Sequence, residues 1–300
     1  MVRPLFPRLL IATRPWSFPA ALSPLLITFT IMFLSSNLQL LNAIAFSLGI
    51  VALQAAANLL NSFCDFENGL DKPESAGDRT LVDELVTRKE FPFLFVSVIA
   101  VWFVSFVSTL PISSPQLTNY LIIYTAGLGL SVFYSAGSRP LKYMGFGDLA
   151  VFLSFGPLLV IAGAWSCAVD SSNLNLVRIV SSTIPASILV VAILHANNHR
   201  DLKMDSMNSA RTVSVRLGAE WSKVYYDFLV LSAPVLSVLM AFLMPSSMGL
   251  LAGILSLPLS IRLSALMNSA SIPRDIDAET AKVMLVYGLL TSFGLLAVGE

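Results

Sequence analysis

Charge is scarce in this chain. Only 12% of its 300 residues are Asp, Glu, Lys or Arg, against roughly 25% in soluble domains, and mean hydropathy is +0.78. That excludes a soluble globular protein and leaves an integral membrane protein. Cysteine is almost missing. Cys64 and Cys167 fall near the ends of apolar segments that finish on opposite faces, so neither a disulfide nor an oxidising compartment is expected. With only His195 and His199 there is no His/Cys cluster of zinc type, and no phosphate loop of the form G-x-x-x-x-G-K-[ST] occurs. The balanced net charge of +0 says nothing about partners, and no nucleic acid is expected among them.

Long apolar runs, by contrast, are abundant. Windows of about 20 residues, matched to a bilayer core of roughly 30 Å, give segments at Phe18–Leu34, Asn42–Asn61, Pro92–Leu110, Leu117–Ser135, Asp148–Ala168, Ile179–Ala196, Val224–Met244, Gly249–Met267 and Val283–Val298. The expected fold is an all-α polytopic bundle of about nine transmembrane helices, forming one domain over residues 1–300. The first run is read as a retained helix rather than a cleaved signal, since eight more spans follow it.

The few charges lie on one side. Arg3, Arg8 and Arg14 precede the first span, Lys72, Arg79, Arg88 and Lys89 follow the second, and Arg139 and Lys142 follow the fourth. The remaining even-numbered loops hold every other basic residue except Arg178. The positive-inside rule makes that face cytoplasmic, and an odd number of spans then puts Glu300 on the other side.

Acidic residues collect on the same face. Charge at a helix end is commonly no more than a solvated loop, yet here a pattern repeats. Asn61 and Asp65 are four apart, as are Asn197, Asp201 and Asp205, so each set shares a face on a continuing helix. "DRTLV" follows the first set and "ARTVS" the second, which reads as an internal pseudo-repeat of four spans. Two such ends around one cavity would bring Asp65, Asp71, Asp201 and Asp205 together, and like charges so placed need cations. Carboxylates that hold Mg²⁺ by one or two oxygens, leaving positions for water and phosphate, are how proteins bind a diphosphate. His195 and His199, beside the second set, are more simply packed side chains than bases.

These strings resemble a known family. "RPWSFPAALSP" at Arg14 to Pro24, "YSAGSRPLKYMGFGD" at Tyr134 to Asp148 and "LHANNHRDLKMD" at Leu194 to Asp205, with the two Asp-rich sets, are similar to the UbiA superfamily of intramembrane prenyltransferases. The gap of six between Asp65 and Asp71, with Gly69 between them, departs from the usual four. It resembles the naphthoquinone branch, which attaches prenyl chains to 1,4-dihydroxy-2-naphthoate or to menadiol. The glycine is expected to end the helix so that the loop folds back.

The resemblance implies Mg²⁺-dependent transfer of an isoprenoid chain, geranylgeranyl being one possibility, from its diphosphate to a naphthoquinol in menaquinone (vitamin K) synthesis. It implies Asp65, Asp71, Asp201 and Asp205 as metal ligands, with Lys142 and Tyr134 at the reacting groups. Asn61, Asn197 and, more weakly, Asn198 are polar supports. Arg79, Arg139 and Arg211 would reach phosphate, and Arg14 with Trp16 would line the acceptor side. The membrane is expected to be endoplasmic reticulum, Golgi or mitochondrial in a eukaryote and the plasma membrane in a bacterium. Transfer to another quinone-precursor ring and a polytopic transporter are the alternatives, although transporter ion sites lie at broken helices near the midplane. A CDP-alcohol phosphotransferase lacks support, because its D-G-x-x-A-R signature is missing.

Overall fold

A computed structural model describes residues 5–67, 69, 80–137, 140–208 and 210–299; Asp71, Arg79 and Arg139 lie outside them. A short helix α1 (Leu5–Ala12) precedes a bundle in which, among the described residues, nine helices are long and apolar enough to cross a membrane. These are α2 (Pro15–Leu34), α3 (Leu40–Glu67), α4 (Phe91–Ser108), α5 (Leu117–Ser135), α6 (Gly147–Cys167), α7 (Leu176–Arg200), α9 (Val213–Leu243), α10 (Pro245–Met267) and α11 (Ile276–Val298). The six-residue α8 (Leu202–Met207) sits between α7 and α9. Among the described residues there are helices and turns, and a lone antiparallel bridge between Leu38 and Ala168.

The helices outrun the apolar segments. α7 continues through His199 and Arg200, α9 starts at Val213 rather than 224, and α11 starts at Ile276 rather than 283. A hydropathy window stops at the first charges, whereas the i→i−4 backbone bonds continue for as long as they find partners. This extension matters for the site, because it keeps Asn61 with Asp65 on α3 as one unbroken face. α3 ends at Glu67, and Gly69 takes φ +69°, a left-handed turn natural to glycine.

Without a hydrophobic driving force in lipid, the helices meet through small residues and hydrogen bonds. A Cβ on Gly49 would lie 2.5 Å from Ser105 Cβ, so α3 and α4 touch closely there, and Ser105 Oγ donates to the Ala45 carbonyl at 2.8 Å. α10 and α11 approach even nearer, for a Cβ on Gly294 would lie 2.2 Å from the Gly249 carbonyl oxygen. On the face away from the Asp-rich helix ends, Asn37 donates to the Asp170 carbonyl at 2.8 Å and Gln39 to the Ala168 carbonyl at 2.7 Å. These bonds tie the α2–α3 turn to the end of α6.

α5 is the least embedded of the cavity-forming helices, with only Tyr120, Tyr124 and Ser135 buried. Trp102 Nε1 donates to Tyr124 Oη at 2.7 Å, and Ser135 Oγ donates to Asn61 Oδ1 at 2.9 Å. Gly127 and Gly129 lie between those two ties.

Candidate active site

The end of α3, the turn Leu141–Met144 and the end of α7 meet on the face that also carries the start of α2. Lys142 is buried, at 8% exposure, and its ammonium donates to both Asp65 oxygens, at 2.7 and 3.0 Å, and to Asn61 Oδ1. Tyr143 Oη donates to Asp65 Oδ1 at 2.6 Å. Burial first, and then the Asp65 charge, push the Tyr143 phenol far above its ordinary range, so it remains a neutral donor. A buried lysine is retained where an anion is close, and Asp65 is that anion.

The second half is held differently. Arg200 grips Asp201 with Nε at 3.0 Å and Nη2 at 2.9 Å, while Nη2 also donates to Asn197 Oδ1 at 2.7 Å. Its Nη1 reaches Asp277 at 3.1 Å on α11. Asp205 is the under-compensated member. Its described polar contact is Thr212 Oγ1 at 3.4 Å. Burial, the neighbouring Asp201 and, beyond it, Asp65 raise its carboxyl to about 6, against which Lys142 acts only in part.

Below these charges lies a cavity of about 240 Å³. Asn61, Asn197, Tyr134, Arg14 and Trp16 are at its polar end, and Phe46, Ile50, Tyr124, Leu159 and Ala162 are among its apolar walls. On α3 the lining residues Phe46, Ile50, Leu53, Gln54, Ala57, Asn58 and Asn61 recur at three- and four-residue steps, so one helical stripe faces the cavity for its whole depth. Arg14 takes φ +55°, and its Nη2 donates to Ser62 Oγ at 3.4 Å, which places the guanidinium beside α3.

Thus Asn61, Asp65, Lys142, Asn197, Asp201 and Asp205 come together over the cavity, which Tyr134, Arg14 and Trp16 line. Asn198 is buried and is not part of the cavity wall. The Arg211 side chain is exposed, and its backbone N–H donates to the Tyr143 carbonyl at 3.1 Å. His195 and His199 are packed residues: His195 Nε2 lies 2.9 Å and His199 Nδ1 2.8 Å from Ser222 Oγ. Sequence reasoning missed Arg200, Tyr143 and Asp277 as parts of this site. For Tyr143 and Asp277 no spacing signal was available, because their partners are remote in the chain. Arg200 stood inside "NNHRD" and was legible as a neighbour of Asp201.

Does this donor set suit a divalent cation? Among the described residues no three His, Cys, Asp or Glu side chains converge tightly enough to hold an ion by themselves. Mg²⁺ needs no such cage, since it binds through one or two carboxylates and takes water and phosphate for the rest. Asp205, half-buried and short of positive charge, fits that demand.

The UbiA prenyltransferase family model matches residues 21–295. The chain belongs to the UbiA prenyltransferase family. Curated relatives include UbiA prenyltransferase domain-containing protein 1 of Danio rerio, 30% identical over 95% of this chain and 83% of the relative. The protein of the same name from Xenopus tropicalis is 31% identical over 95% and 80%. Among solved structures, a UbiA homologue from Aeropyrum pernix K1 superposes with a TM-score of 0.67 at 17% identity, covering 99% of each chain. A homologue from Archaeoglobus fulgidus bound to GPP and Mg²⁺ gives 0.60 at 14% identity, covering 97% and 99%. The likeness shows a shared fold. Like other members of the UbiA family, this protein is a membrane-embedded prenyltransferase.

Proposed function

We propose that this UbiA prenyltransferase moves an isoprenoid chain from a prenyl diphosphate to a hydroxylated naphthalene ring, menadiol or 1,4-dihydroxy-2-naphthoate, with Mg²⁺ as cofactor. The observation that carries the reading is the Lys142 ammonium buried between Asn61 and Asp65 at the mouth of an apolar cavity. A cation so placed, opposite a second acidic set, suits a diphosphate whose tail is apolar. The Archaeoglobus homologue with GPP and Mg²⁺ supports the same donor class. The acceptor rests on the six-residue Asp65–Asp71 gap, which resembles the naphthoquinone branch of the family.

When bound, Mg²⁺ supplies Lewis-acid neutralisation of the diphosphate leaving group, with Asp65, Asp71, Asp201 and Asp205 holding it directly or through water. Lys142 offers a donor to the phosphate oxygens in exchange for its contact with Asp65, and Tyr143 keeps Asp65 oriented while it does so. Ionisation of the allylic C–O bond leaves a cation that water would quench. The walls built by Phe46, Ile50, Leu159 and Ala162 keep water away from it. A ring carbon of the naphthoquinol then attacks the allylic cation, and loss of the ring proton, or of CO₂ from a carboxylated acceptor, restores aromaticity. Tyr134, which lines the cavity, stacks on the ring in this reading.

The stripe from Phe46 to Asn61 spans fifteen residues of α3, about 22 Å at about 1.5 Å per residue. Three chain bonds span about 3.8 Å between consecutive Cα atoms, so the four of an isoprene unit span about 5 Å, and the depth suits about four units. The basic face is read as cytoplasmic on charge distribution. The test is mass spectrometry of products from purified protein given geranylgeranyl diphosphate, Mg²⁺ and either menadiol or 1,4-dihydroxy-2-naphthoate. Prenylated naphthoquinone is expected, and its absence alongside prenylation of another ring would overturn the acceptor.

A further inference from the structure

Gln54 stands on the cavity wall, two turns of α3 deeper than Asn61, and it is 7% exposed. Its amide nitrogen is fully used. Nε2 donates to the Ser17 carbonyl at 2.8 Å and to Ser17 Oγ at 3.1 Å. A carbonyl only accepts, so the atom facing it is the nitrogen, and this settles which end of the amide is oxygen. The neighbour one turn up repeats the arrangement, Asn58 Nδ2 donating to Ser17 Oγ at 3.0 Å and to the Thr13 carbonyl at 2.9 Å. Ser17 Oγ spends its own proton on the Arg14 carbonyl at 2.9 Å. The network therefore holds the start of α2 against α3 and pins Gln54 by its nitrogen.

Gln54 Oε1, in contrast, is buried and has no hydrogen-bond partner among the described residues. Leaving such an acceptor unsatisfied costs about 1–3 kcal/mol, and native interiors rarely tolerate it without a reason. Gln54 is itself part of the cavity wall, so the cavity is the side from which a donor can come. Trp16 and Ser17 line the same wall, and on α3 Asn61 lies seven residues, about 10 Å, higher, with the charge of Asp65 eleven residues, about 16 Å, up. A prenyl tail has no proton to donate. A ring hydroxyl does.

We infer that Gln54 is a specificity-determining residue for the acceptor: its Oε1 accepts a hydrogen bond from a hydroxyl of the aromatic ring to be prenylated. The inference deepens the proposed function and rests on its claim that the acceptor is a hydroxylated ring. It requires only a hydroxyl at this depth, not a naphthalene. The bond orients the ring, whose nucleophilic carbon then lies toward the polar end where the allylic carbon forms. Gln54 neither takes the proton nor touches the diphosphate.

The test pairs a change in the protein with a change in the acceptor. kcat/KM is measured for a dihydroxynaphthalene acceptor and for its two mono-O-methyl ethers, in the wild type, Gln54→Leu and Ser17→Ala. In the wild type one ether should be disfavoured by about 10–100-fold, the loss of one buried hydrogen bond. In Gln54→Leu that ratio should fall to near unity. Ser17→Ala loosens the same tie but leaves Oε1 in place, so it should keep the wild-type ratio. Protection of the protein by a non-reactive prenyl thiodiphosphate should be equal in all three. An undiminished ratio in Gln54→Leu, the same collapse in Ser17→Ala, or loss of thiodiphosphate protection would each overturn the inference. If the wild type prenylates hydroxybenzoate but no naphthalenediol, the proposed acceptor fails. The identical ratio, taken with hydroxybenzoate and methoxybenzoate, then decides the role of Gln54.

Discussion

The two acidic helix ends have the same spacing and different support. On α3, Asp65 takes its cation from Lys142, 77 residues away, on a four-residue turn outside the membrane spans. On α7, Asp201 takes its cation from the next residue, Arg200, which also clamps Asn197 and Asp277. The first pair is a contact between separate segments of chain, the second a brace within one helix end. A lysine ammonium is a compact charge on a flexible stem, whereas a guanidinium forks rigidly over two acceptors. The difference teaches that only one side is built to exchange its partner: Lys142 can turn to a phosphate without unpicking a helix, and Arg200 cannot.

The largest effect should come from removing either carboxylate. Asp65→Asn and Asp201→Asn keep size but remove charge, and each should lose about 10²–10³ in kcat. The double variant should be little worse than either, since residues acting as a unit are non-additive. Rates near wild type, or effects that multiply, would show that the two ends do not share one diphosphate. Excess EDTA should abolish turnover in the same assay, and added Mg²⁺ should restore it.

Changing the cations sharpens the contrast. Lys142→Met should raise the KM for prenyl diphosphate and lower kcat, because it removes a donor from the reacting charges. Arg200→Met should show itself more in thermal stability, since it leaves Asp201 and Asp277 without their shared partner, at a cost of about 3–5 kcal/mol for a broken buried pair, less here because these groups are partly exposed. Equal kinetic and stability profiles for the two variants would erase the distinction.

A smaller effect follows from Asp205. Its carboxyl is raised to about 6 by burial and by Asp201, so in EDTA the folded protein binds a proton more readily than the unfolded chain. Stability should therefore rise as pH falls from about 7 toward 5 and be lost as pH rises through about 6. Asp205→Asn should flatten that dependence in a melting series. With the divalent ion present the trend should reverse in part, because protonation then competes with the ion. Smallest of all, Glu84→Gln, on the same face but outside the site, should keep most activity, as an exposed charge contributes little.

Much of this was legible beforehand. Asn61, Asp65, Asn197, Asp201 and Asp205 declared themselves by four-residue spacing at the ends of apolar runs, and a helix converts that spacing into one face whatever surrounds it. Lys142 was legible as a charge in the loop between the two sets. Its insertion between Asn61 and Asp65 was not, since that depends on how α5 and α6 bring the turn over α3. Tyr143 and Asp277 carried no periodic signal, and Gln54 read as one polar residue in an apolar run. Its significance lies in an oxygen left without a partner, which only three-dimensional placement reveals.

The cavity's outer wall has a mechanical consequence. α5 is a stave pinned at two points, by Trp102 on Tyr124 and by Ser135 on Asn61, with two glycines between the pins. A Cβ on Gly127 would meet nothing nearer than Leu158 at 4.0 Å, so the middle of the stave has slack on its inner side. The space beside Gly127 thus adds to the width of the cavity, whereas α10 and α11 are clasped at Gly249 and Gly294 with no such space between them. Filling that slack, as Gly127→Leu does, should favour shorter prenyl diphosphates in a competition assay while leaving the charges at the mouth untouched.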